Sequence, residues 1–194
     1  MSTRYPGLAD RDECVLVVID MQERLADVMP RRTEAIAAAA LCVRAAGELG
    51  VPVVVTRQYP RGLGDTVPEL VAALEVASAR DVVTHVDKVA FCACEEPAFL
   101  EAVRARGRSQ AAIIGMETHI CVTQTALALA AVGMRVHVAA DACCSRRDVD
   151  HATALDRMRA EGVTVTVAES LVYEWLERAG TDDFRAVLEL VRDR

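Results

Sequence analysis

Cys121 is the residue in this chain best placed to do chemistry. It lies in Gly115-Met116-Glu117-Thr118-His119-Ile120-Cys121-Val122-Thr123, just after the apolar run Ala111-Ala112-Ile113-Ile114. Residues 111–114 predict a buried parallel strand, and the alanine-rich residues 123–132 predict a helix. Cys121 then falls in a first helical turn with Thr118 as its N-cap. Backbone N–H groups without intrahelical partners and the helix dipole favour a thiolate there, and a thiolate attacks carbonyl carbon. Being a small buried hydrophobe is the commonest fate of a free cysteine, and this segment alone does not overturn that reading.

Two further residues complete a chemical set. Asp20 closes the apolar stretch 14–19, where an ionised carboxylate needs a partner or must shift its pKa; it is also of the right type to cap the following segment, 22–28. Lys88 follows a short strand and precedes Val89-Ala90-Phe91, which places its ammonium among apolar neighbours or in a solvated loop. A carboxylate, an ammonium and a thiol at a helix start are the parts of a cysteine hydrolase that works without histidine. Asp20 takes the thiol proton, and Lys88 holds the carboxylate and favours the thiolate. Cys121 attacks a carbonyl, and N–H groups of the turn receive the oxyanion. Water activated by Asp20 then releases the acyl group.

Positioning these residues requires strands that end together. The pattern predicts strands at 14–19, 53–56, 82–86, 111–114, 135–140 and 163–167. Helices are expected at 33–48, from Pro68, and at 95–106, 123–132, 149–161, 170–178 and 182–192. Residues 58–65 read as a loop. Alternation of this kind implies an α/β fold: a three-layer αβα arrangement with a six-stranded, mainly parallel, Rossmann-like sheet and helices on both faces. In such sheets ligands bind beyond the carboxyl ends of the strands. Asp20, Thr56, Lys88, Cys121 and Asp141 all fall at or just past those expected ends.

Composition narrows the function classes. The 194 residues suit one domain, and 53% hydrophobic with only 4% aromatic content fits a core of Val, Ala, Leu and Ile. A net charge of -7, with basic residues scattered among acidic ones, argues against a nucleic-acid partner. No apolar run approaches a membrane span, and residues 1–13 lack the apolar core of a signal peptide, so a cytoplasmic protein is expected. Seven cysteines are then expected to stay reduced. Cys92-Ala93-Cys94 and Cys143-Cys144 lack the spacing of a structural zinc site, and the adjacent pair would do redox work only if both sulfurs were exposed. Gly62-Leu63-Gly64 lacks the third glycine of a dinucleotide loop, and no G-x-S-x-G is present.

Val17-Val18-Ile19-Asp20-Met21-Gln22, Lys88 with Phe91, and 115–122 resemble the isochorismatase-like cysteine hydrolase superfamily, in an order that covers nearly the whole of 1–194 as a single domain. Residues 58–64, 115–118 and 138–143 resemble the branch called isochorismatase domain-containing proteins. The resemblance implies an Asp20–Lys88–Cys121 triad, a cis peptide between Met116 and Glu117, and an oxyanion hole from the N–H groups of Glu117 and Cys121. It implies a hydrolase of a C–N bond in a small amide or ureido metabolite, with no cofactor, working as a homo-oligomer, a dimer or tetramer. The superfamily also contains vinyl-ether hydrolysis, in which the aspartate protonates the substrate, and a non-catalytic binding member is the remaining alternative. Nicotinamidases of the superfamily carry an Asp-x-His metal motif where this chain has Thr56-Arg57-Gln58-Tyr59, so no metal is expected. Tyr59 is the expected substrate contact, with Phe91 and Trp175 as further candidates for pocket walls.

Overall fold

In the computed structural model, which describes residues 5, 7–80 and 82–192, the apolar stretches pair into one sheet. The strands are β1 (Cys14–Ile19), β2 (Val53–Gln58), β3 (Val83–Lys88), β4 (Gln110–Met116), β5 (Arg135–Cys144) and β6 (Thr164–Thr166). Their order is β3-β2-β1-β4-β5-β6, and every pair is parallel. The helices are α1 (Glu23–Ala26), α2 (Arg32–Leu49), α3 (Pro60–Leu63), α4 (Pro68–Ser78), α5 (Pro97–Arg104), α6 (Thr123–Ala131), α7 (Asp148–Ala160), α8 (Ala168–Leu176) and α9 (Asp182–Arg192).

Strand β1 is buried on both faces, which is why its sequence is continuously apolar rather than alternating. Cys14, Leu16 and Val18 pack into the layer formed by α2, α4, α8 and α9. Val15, Val17 and Ile19 pack against α5, α6 and α7 on the opposite face. The result is the expected three-layer architecture, with the parallel sheet between two helical layers.

Several expected boundaries move, and the shifts bear on the site. Strands β2 and β3 run two residues further than their apolar patterns, because Gln58 pairs with Lys88 and Arg57 with Asp87. The Arg57 guanidinium also grips the Asp87 carboxylate at 2.8 and 3.0 Å. Lys88 is therefore the last residue of β3, where the continuation of the short apolar strand reaches it. Strand β5 continues past Ala140 to Cys144, and its register against β4 slips between Ile113 and Gly115. Asp141 thus sits inside a bulged strand, where its Oδ1 accepts the Ala168 N–H at 2.7 Å and caps α8. The segment read as a loop contains α3, with Pro60 in its first turn.

Candidate active site

The strand order reverses direction between β1 and β4, so a crevice opens at their carboxyl ends. Gly115 brings the two strands unusually close there. Its φ is +141°, and a Cβ at that position would lie 2.1 Å from the Ile19 carbonyl oxygen. This approach sets Asp20, the residue after Ile19, beside the turn that carries Cys121.

Asp20 itself adopts a left-handed backbone, with φ 48°. It does not cap α1, whose N-cap position is Gln22 and which has no side-chain cap. Its carboxylate is buried and held on both oxygens. Thr56 Oγ1 donates to Oδ1 at 2.7 Å, and Lys88 Nζ meets Oδ2 at 2.7 Å. Lys88 Nζ also donates to Gln58 Oε1 at 2.5 Å, Ala90 O at 3.1 Å and Phe91 O at 3.3 Å.

Cys121 is 5% exposed, beside Asp20 at 0% and Lys88 at 2%. Burial first, then the Asp20 charge, push its thiol up to about 12, while Lys88 pulls it in the opposite direction. Burial and the neighbouring Asp20 thus oppose the helix-start thiolate expected from sequence, and Lys88 supports it. The local backbone differs as well. Residues Thr118–Val122 form a π turn before α6, closed by Val122 N–H bonding to Glu117 O, five residues back. Thr118 is not an N-cap. Its hydroxyl pairs with His151 Nδ1 at 2.9 Å, and its carbonyl accepts Thr123 Oγ1 at 2.6 Å.

The Met116–Glu117 peptide is cis. The Glu117 side chain is buried, and its Oε2 accepts both the backbone N–H and the Nε–H of Arg146, at 2.9 and 3.0 Å. Tyr59 is 54% exposed in a left-handed conformation, and its N–H donates to Lys88 O at 2.8 Å. It helps wall a cleft of about 380 Å³ with Arg61, Lys88, Val89 and Glu96. Asp20 and Cys121 are not in the walls of that cleft. The structure therefore brings Asp20, Lys88, Cys121 and Glu117 to the carboxyl ends of β1, β3 and β4, with Tyr59 in the cleft next to Lys88.

Residues 14–170 match the Isochorismatase domain. The chain belongs to the isochorismatase family. Isochorismatase domain-containing protein 2 of Bos taurus is 36% identical over 181 residues, covering 92% of this chain and 83% of the relative. Among solved structures, the MAR1 ribonuclease from Caenorhabditis elegans is 30% identical with a TM-score of 0.87, covering 95% of this chain and 92% of that one. The YcaC gene product of Escherichia coli, described as an octameric hydrolase of unknown specificity, superposes with a TM-score of 0.85 over 97% of this chain and 91% of its own. At 22% identity that likeness is one of fold.

Other features of this isochorismatase-family chain bear on the remaining expectations. Trp175 lies in the core beside α2 and not near the site, so it walls no pocket with Tyr59. Cys143 and Cys144 are both buried, with burial as the first cause raising each thiol, which removes the redox reading of that pair. No helix of the described residues is long and apolar enough to cross a membrane. Among the described residues no group of three or more His, Cys, Asp or Glu is arranged to share a metal ion. The polar residues that the sequence did not single out are Gln22, Gln58 and Glu96, which frame Lys88. Their one legible signal is the position of Gln58, two residues beyond Thr56 on the strand that pairs with β3.

Proposed function

We propose that this protein is a cysteine hydrolase that cleaves a C–N bond of a small amide or ureido metabolite through Asp20, Lys88 and Cys121. The observation that carries the reading is the convergence of a buried carboxylate, ammonium and thiol at the ends of β1, β3 and β4, with the first two 2.7 Å apart. Paired charges in a dry crevice are costly unless they serve each other, and clusters of this kind mark functional sites.

The reaction follows from the resting state. Cys121 Sγ attacks the substrate carbonyl as its proton passes to Asp20, so no free thiolate accumulates beforehand. The developing oxyanion is received by the N–H groups of Glu117 and Cys121. Asp20 returns the proton to the leaving nitrogen, which departs as the amine and leaves a thioester on Cys121. Asp20 then takes a proton from water, the hydroxide adds to the thioester, and the tetrahedral adduct collapses to the carboxylic acid as Asp20 returns that proton to Cys121 Sγ, restoring the thiol and the carboxylate. Lys88 holds the Asp20 carboxylate in place between proton transfers, its Nζ 2.7 Å from Oδ2. Tyr59 borders the substrate on the open side.

On this reading residues 1–194 act as one domain without cofactor or metal, assembled as a dimer or tetramer in the cytoplasm, where seven thiols remain reduced. The net charge of -7 disfavours a polyanionic substrate such as RNA, although one solved relative is called a ribonuclease.

The test is the alkylation rate of Cys121 against pH, read by peptide mass spectrometry. Removing the Asp20 charge in Asp20→Asn should move the profile to lower pH, and Lys88→Ala should move it to higher pH. A wild-type profile unmoved by either substitution overturns the triad and leaves a binding protein, the reading favoured by the absence of Asp20 and Cys121 from the cleft walls. The second reading that the family resemblance leaves open is vinyl-ether cleavage with Asp20 as the proton donor. Small-amide turnover lost in Cys121→Ala supports the first; turnover of a vinyl ether kept in Cys121→Ala but lost in Asp20→Asn supports the second.

A further inference from the structure

Lys88 is the only lysine in the chain; the other 21 of the 22 basic Lys and Arg residues are arginine. Its side chain is fully buried and surrounded by oxygen. Its Nζ donates to three oxygens, Gln58 Oε1, Ala90 O and Phe91 O, at 2.5, 3.1 and 3.3 Å, and pairs with the Asp20 Oδ2 charge at 2.7 Å. An ammonium has three N–H donors and no acceptor, so this surrounding fits the charged form and offers a neutral amine nothing to accept from. A compact ammonium suits such a shell better than the planar fork of arginine would.

Gln58 is the hub of that shell. Its Oε1 touches the ammonium, while its Nε2 donates to Val89 O at 2.7 Å. One amide thus holds both the lysine head and the loop that bends back to supply the Ala90 and Phe91 carbonyls. Gln58 is in turn locked by Gln22, whose Oε1 accepts the Gln58 N–H at 2.7 Å and whose Nε2 donates to Gln58 O at 3.1 Å and Gly64 O at 2.7 Å. From outside, Glu96 Oε1 accepts the Val89 and Ala90 N–H groups at 3.0 and 3.1 Å. The loop therefore turns carbonyls inward to the amide and ammonium and N–H groups outward to a carboxylate.

We infer that Gln58 is a positioning residue of the site: its side-chain amide sets where the Lys88 ammonium stands relative to Asp20 and Cys121 and holds closed the loop that completes the ammonium's shell. The inference rests on the triad reading, but the position of Lys88 can be observed without any turnover. Without Gln58 Oε1 the ammonium keeps its pairing with Asp20 but loses its shortest neutral contact and the anchored loop behind it. Water then reaches Nζ, and the charge that favours the Cys121 thiolate is no longer fixed.

A single lysine makes the test direct. Protein labelled with ¹⁵N at lysine gives one side-chain ammonium resonance, visible only while its protons are shielded from exchange. The wild type should show it. Gln58→Met, which keeps the volume and removes both hydrogen-bonding atoms, should lose it to exchange, and Cys121 alkylation should slow at least threefold with its profile moved to higher pH. Gln58→Glu restores an oxygen to the ammonium and should retain the resonance, while its added negative charge also moves the alkylation profile upward. A Gln58→Met protein with the wild-type resonance and alkylation profile overturns the inference, as does a folded Gln58→Glu protein that loses the resonance. Failure of the triad reading looks different, since Asp20→Asn would then leave Cys121 alkylation unmoved whatever the lysine signal did.

Discussion

The two oxygens of Asp20 are held by different groups, and this division of contacts accounts for much of the chemistry open to it. Oδ2 meets the Lys88 ammonium, whereas Oδ1 is held by the Thr56 hydroxyl, which also lies 3.3 Å from the Asp20 N–H. Thr56 thus steadies both the carboxylate and the left-handed backbone that aims it. Replacing Thr56 with valine keeps the shape but leaves a buried carboxylate oxygen short of a donor, at a cost of about 1.5 to 3 kcal/mol. Urea denaturation should register that loss, and Thr56→Ser should recover most of it. Asp20, Lys88 and Cys121 stood out in sequence because each ends or follows an apolar run, where a polar side chain needs a partner. Gln58 and Gln22 were not legible, since nothing in a single chain says that residues 36 positions apart will meet.

Strand β4 and the turn after it show where local pattern stops informing. The apolar run predicted the strand, but the π turn depends on Thr118 finding His151 and Glu117 finding Arg146, partners from the end of β5 and the start of α7. A bulged β5 is equally hidden, because Ala139 to Ala142 read as an ordinary end of a strand. Gly115 is the point on which these elements depend. Its neighbours within reach of an added Cβ include the backbone of Ile19, which cannot swing away like a side chain. Gly115→Ala should therefore cost about 3 kcal/mol or prevent folding, and any folded fraction should show Cys121 alkylation no longer coupled to Asp20. Thermal melting combined with peptide mapping checks both parts.

Across the molecule, the site and much of the stabilising core occupy different places. The four-helix layer, closed by α9 with Val187 buried and Phe184 and Leu190 packed beside it, forms one face of the sheet, while the triad stands at the strand ends. Val187→Asp should lift α9 from α2 and destabilise the protein by about 3 kcal/mol while leaving the pH profile of Cys121 in place; melting and alkylation measured on the same sample test that separation. The layer order was readable from sequence because continuous apolar strands and one-sided helices leave few alternatives; the closeness of β1 and β4 was not, since it rests on backbone approach. A related division runs through the site itself. Asp20, Lys88 and Cys121 are enclosed, whereas Tyr59, Val89 and Phe91 stand exposed on the loops above them. On the proposed reading, reactivity and selectivity then sit on separate layers: the exposed Tyr59, Val89 and Phe91 can be replaced without opening the buried groups beneath them.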